Sequence, residues 1–105
     1  MSVEIFDGHD SAHNDEAYLG WVADHPEGYI VNTNATINPA YMVLHRCWCE
    51  DVTDKQRYEI GAYTQRHYAK VCAESQEELR EWVKKYGRPD GSFTGRECRC
   101  LRRTQ

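Results

Sequence analysis

The chain has 105 residues, 40% apolar and 29% charged, with a formal net charge of −4. That length supports one domain with one modest core, and an acidic total makes a poor non-specific nucleic-acid binder. No apolar run approaches the roughly 20 residues of a membrane-spanning helix. The opening MSVEIFDGHDSAHND is acidic and has no apolar leader core, so the chain reads as cytoplasmic with no membrane contact.

Residues 1–13 read as an acidic, mobile N-terminal segment ahead of a single domain over 14–105. Asn14 is a good N-cap for DEAYLGWVADH, which starts with two acids and spaces Tyr18, Leu19, Trp21 and Val22 as a helix does. His25-Pro26 stops it. GYIVNT and AYMVLHR then read as two strands of a hairpin around NATINP. RHYAKVCA reads as a third strand, with Val71 and Ala73 on one face and Tyr68 and Cys72 on the other. Ser75 and Glu78 form a capping box, Leu79, Trp82, Val83 and Tyr86 form a helical stripe expected to pack in the core, and Gly87 supplies the stop. ECRCL returns as a short edge strand or an irregular loop. The order α-β-β-β-α-(β) predicts an α+β domain with two helices on a small antiparallel sheet of three to four strands.

Charge is segregated along the chain. Residues 1–28 hold seven acidic side chains and no Lys or Arg, whereas residues 75–105 hold eight basic against five acidic. The cationic cluster GRECRCLRRTQ overlaps Cys98 and Cys100. Five cysteines cannot all pair within one chain, and a reducing compartment disfavours disulfides, so metal ligation competes with plain buried thiols. Cys47 with Cys49 and Cys98 with Cys100 make two tight pairs of the kind that knuckles use to hold a tetrahedral ion, with Cys72 alone between them. The C-x-C spacing is less diagnostic than C-x-x-C. On a strand it would put both side chains of a pair on one face.

The succession HPEGYIVN, YMVLHRCWC, HYAKVC, EELREW and CRCL resembles a small cysteine-containing α+β domain of actinobacterial and phage proteins. Some relatives of that domain stand beside nuclease or restriction-type domains, and its function is unsettled. The resemblance covers residues 18–101 or so. It implies a structural zinc held by Cys49, Cys72, Cys98 and Cys100, with His45 and Cys47 as alternates. The chain departs from the pattern at C-R-C, where a C-x-x-C is expected, which leaves open whether Cys98 and Cys100 both ligate.

Catalytic signals are thin. A Cys-His nucleophile would combine Cys47 or Cys49 with His45 or His67, but nothing marks an oxyanion hole or an orienting acid. HDSAH has the look of a two-histidine metal motif set in a mobile tail. Glu59 and Lys70 lack the clustered carboxylates of a magnesium nuclease. The chain therefore reads as a binding module rather than an enzyme, with no small-molecule substrate. Two kinds of partner fit it. A nucleic acid would meet Arg46, Arg66, Arg102 and Arg103 at its phosphates and Trp48, Tyr63 or Tyr68 at its bases, whereas a basic protein would meet the acidic N-terminal part.

Overall fold

The structure is a computed structural model that describes residues 3–53, 63–64, 68–94 and 98–102, with backbone alone for Glu50, Asp51 and Arg102. It is an α+β domain. Strands β1 (Glu4–Phe6), β2 (Tyr29–Asn34), β3 (Met42–Arg46) and β4 (Tyr68–Ala73) form one antiparallel sheet in the order β1-β4-β2-β3. Helices α1 (Asp15–Asp24), α2 (Glu50–Thr53) and α3 (Gln76–Tyr86) and a 3-10 helix (Arg99–Arg102) complete the described elements.

Local chemistry sets the two long helices as the sequence predicts. The Asn14 side chain accepts the Ala17 N–H at 3.0 Å and so caps α1, and Ser75 accepts the Glu78 N–H at 3.3 Å while donating to Glu78 Oε1 at 3.0 Å. After α3, the Gly87 and Arg88 amides both return to the Val83 carbonyl. The helices cover opposite faces of the sheet. Tyr18 of α1 packs with Phe6, Ile30 and Cys72, whereas Leu79, Trp82 and Val83 of α3 pack with Val31, Met42, Leu44, Val71 and Ala73. Tyr86 departs from the expected core stripe: its ring is half exposed and leans on Trp82.

Both ends of the chain differ from the sequence reading. The tail read as mobile contains β1, with Ile5 opposite Val71 and Phe6 opposite Lys70. Phe6 explains it, because burial of its ring against Tyr18 stabilises by roughly 1.5–3 kcal/mol, enough to hold a three-residue strand. At the other end, Arg99–Arg102 forms a 3-10 turn, not an edge strand, with the Leu101 amide bonded to the Cys98 carbonyl.

Among the described residues, Lys70 is a buried cation on the face under α1. Lys70 Nζ donates to Asn32 Oδ1 at 2.7 Å and to the Tyr63 carbonyl at 2.8 Å, within 6.0 Å of the Tyr18, Tyr63 and Tyr68 ring centres. Nearby, Asp15 accepts from both the backbone and the hydroxyl of Thr64. Together these bonds tie the 63–64 segment to the start of α1 and to the centre of the sheet.

Candidate metal centre

The end of β3 turns sharply. The Cys49 amide bonds back to the Arg46 carbonyl, and Thr53 Oγ1 with the Val52 amide holds the Cys49 carbonyl. Cys47 and Cys49 therefore follow the strand instead of sharing one of its faces, and the turn sends them apart. The Cys47 amide extends the hairpin to the Gly28 carbonyl, and its sulfur fits against Gly28, where an added Cβ would stand 3.2 Å from it. Cys49 points to the C-terminal segment. Its Sγ lies 3.6 Å from His45 Nδ1 and 3.6 Å from Cys98 Sγ.

With Cys100 these residues form a group of four donors, His45, Cys49, Cys98 and Cys100, whose ligand atoms all lie within 4.8 Å of one another. A tetrahedral ion with bonds of about 2.3 Å to sulfur and about 2.0 Å to nitrogen spaces its ligands about 3.5–3.8 Å apart, and the two distances from Cys49 match that spacing. Three of the donors are buried and Cys98 is half-buried. Three thiolates and one imidazole suit a borderline-soft divalent ion and fill a tetrahedron, leaving no position for water.

Arg46 assembles the C-terminal half of the centre. Its amide donates to Cys100 Sγ at 3.2 Å, its Nε donates to the Cys100 carbonyl at 2.9 Å, and its Nη1 reaches the Tyr29 hydroxyl at 3.1 Å. Burial pushes the Cys100 thiol above its ordinary value, and the Arg46 amide aimed at the sulfur pulls it back. A bound divalent ion would tip that balance to thiolate and release protons on binding. Arg46→Ala keeps the backbone amide but leaves the Cys100 carbonyl without its guanidinium partner. The expected result is metal retention about 10- to 100-fold weaker in competition with a chromogenic chelator, with no rescue by Arg46→Lys, which lacks the planar fork.

Of the four cysteines expected as ligands, the structure brings together Cys49, Cys98 and Cys100, and both members of the C-R-C pair point inward. Cys72 is outside the group, and the alternate His45 takes its place. The register gives the reason. Ile30 of β2 lies opposite both His45 of β3 and Cys72 of β4, so the two candidates stand two strand spacings apart, about 10 Å. Cys72 is fully buried, and desolvation raises its thiol well above the ordinary range. The alternate Cys47 is also a core thiol, pushed up to about 12 by burial.

The described residues expected at a nucleic-acid surface differ in exposure. Arg46 is spent on Cys100 and Tyr29, over whose ring its guanidinium lies at 5.4 Å. Trp48 is half-buried against the core and Tyr63 is buried, while Tyr68 keeps an exposed ring. Arg66, Arg103, His67 and Glu59 lie outside the described residues, as does the Arg102 side chain. Among the described residues no helix is long and apolar enough to cross a membrane. No protein-family model, curated protein sequence or solved structure matches the chain.

Proposed function

We propose that the protein is a zinc-stapled binding module in which the metal is structural and the stapled C-terminal segment contacts nucleic acid. The closed set of four donors carries this reading. A catalytic zinc keeps a position for water, whereas three cysteines and a histidine fill all four. Zinc suits the set because it accepts thiolate and imidazole together without redox chemistry.

Nucleic acid is favoured by where the ligands sit in the sequence. Cys98 and Cys100 lie inside the arginine-rich stretch, so the ion that holds them also fixes Arg99, which is exposed, and brings the backbone of Arg102 beside β3. Cations held in one place raise the local potential even in an acidic protein. A host-virus conflict or restriction setting is consistent with the resemblance drawn from the sequence.

A second reading rests on a separate observation. The seven acidic residues of 1–28 are spread over β1, the loop after it, α1 and the turn that follows, and the three on α1, Asp15, Glu16 and Asp24, stand on a helix without any Lys or Arg. Such a helix would engage a basic protein partner.

Fluorescence polarisation with short single- and double-stranded probes at two salt concentrations separates the two. On the nucleic-acid reading the wild type binds weakly and salt-sensitively. Arg102→Ala combined with Arg103→Ala then lowers the slope of log affinity against log salt by about 0.9 per lost duplex phosphate contact. Absence of binding at low salt, to modified probes as well, leaves the protein-partner reading.

A further inference from the structure

We propose a second metal site, formed by His9, Asp10 and His13 in the loop between β1 and α1, which takes an exchangeable transition-metal dication such as Ni2+ or Zn2+.

The loop is held at both ends, by the pairing of β1 with β4 and by the Asn14 cap of α1. It is also closed on itself. Gly8 adopts a φ of 76°, which glycine reaches without strain, and its amide donates to the His13 carbonyl at 2.7 Å, while the His13 amide donates to the Asp10 carbonyl at 3.1 Å. This backbone brings the side chains together. Asp10 places one carboxylate oxygen 2.5 Å from His13 Nδ1 and the other 3.0 Å from His9 Nε2, and Asp7 stands against His9 Nδ1. The two imidazoles stack with centres 4.3 Å apart, and His13 also leans on the buried Phe6 ring. One ligand atom from each of His9, Asp10 and His13 lies within 4.8 Å of the others.

Exposed ion pairs contribute little to stability by themselves, and two stacked imidazoles repel each other if both are charged. A dication removes that conflict, since neutral imidazole is the ligand. Two ring nitrogens and one carboxylate suit nickel, copper or zinc better than calcium or magnesium, which prefer all-oxygen shells. The remaining positions face solvent, so the ion exchanges freely, unlike one enclosed by the cysteine centre. The two sites belong to opposite edges of the sheet: β1 and β3 are three strand spacings apart, about 14 Å. Each can therefore be tested without the other.

The test is calorimetric titration of Ni2+ into untagged, zinc-loaded protein. The expected result is saturable binding of close to one equivalent, weakened by at least about tenfold in His9→Gln and in His13→Gln and unchanged in Ser11→Ala. These positions are exposed or half-exposed, so melting curves of the zinc-loaded variants without nickel should overlay that of the zinc-loaded wild type, which separates lost ligation from lost folding. Absence of saturable binding overturns the proposal. So does nickel binding that persists in both histidine variants, as displacement of zinc from the cysteine centre would give.

Discussion

Protein purified without added metal is expected to carry close to one equivalent of zinc, and removal of that zinc by a strong chelator should lower the melting temperature by roughly 10 °C or more. A structural zinc whose binding is coupled to folding contributes about 10–16 kcal/mol of apparent binding energy in small peptides, and about 1 kcal/mol moves the melting point of a domain this size by about 4–8 °C. Even a minor share of the binding energy reaching the fold is therefore visible. Substitutions should divide by geometry. Cys49→Ser and Cys100→Ser lose the metal. Cys72→Ser and Cys47→Ser keep it and lose about 1–3 kcal/mol, because each puts a hydroxyl where the core offers burial. Elemental analysis and thermal melts decide the matter. A metal-free protein whose Cys49, Cys98 and Cys100 thiols titrate in the native state removes the centre, and loss of metal from Cys72→Ser would mean that His45 is not the fourth ligand.

The second large effect is a pH dependence centred on Lys70. Burial lowers its ammonium to about 8, with Cys72 and Asp15 pulling in the opposite direction. In the unfolded chain a lysine titrates near 10.4. Below pH 8 the group is charged in both states and the fold carries the full cost of burying the charge. Between about 8 and 10.4 the folded protein gives up the proton first, so the unfolded state binds more protons and stability rises with pH. The gap corresponds to about 3 kcal/mol. Urea unfolding of the wild type and of Lys70→Met should therefore converge or cross as pH rises from 7 to 10.5, the difference moving towards the wild type by up to that amount. The ionisations of Cys47 and Tyr18, both resisted by burial, are common to the two proteins and cancel to first order. Parallel stability curves across that range would show that Lys70 pays no burial cost.

Much of this architecture was legible in the chain itself, for local reasons. Asn14, the Ser75–Glu78 pair and Gly87 satisfy helix ends with side chains or turns close in sequence, so α1 and α3 could be placed without knowing the fold. The β2–β3 hairpin and the alternation along β4 were readable on the same grounds. β1 was not, because EIF carries no strand signal of its own and is ordered by Phe6 reaching a core made of distant residues. The metal centre divides in the same way. Cysteine spacing marked the pairs Cys47–Cys49 and Cys98–Cys100, and the resemblance preferred Cys49 within the first pair, but the fourth ligand depends on strand order. Cys72 and His45 lie in one row across the sheet with Ile30 between them, and a linear sequence does not reveal which of them the C-terminal segment will pass.

The C-terminal segment also closes an edge. β3 is an outer strand of the sheet, and such a strand offers unpaired backbone groups to any other extended chain. Thr94 takes up Met42 at one end of that edge: its Oγ1 accepts the Met42 amide at 2.6 Å, and its own amide donates to the Met42 carbonyl at 2.8 Å. Cys100 accepts the Arg46 amide at the other end. The opposite edge, β1, is only three residues long and begins with exposed Glu4, a short charged strand that makes a poor template. Aggregation by strand addition is thus guarded at the long edge by the polypeptide that the cysteines hold. Release of Cys100 from its neighbours would do more than soften the fold, since it would open the Arg46 end of the strand best suited to recruit a second copy.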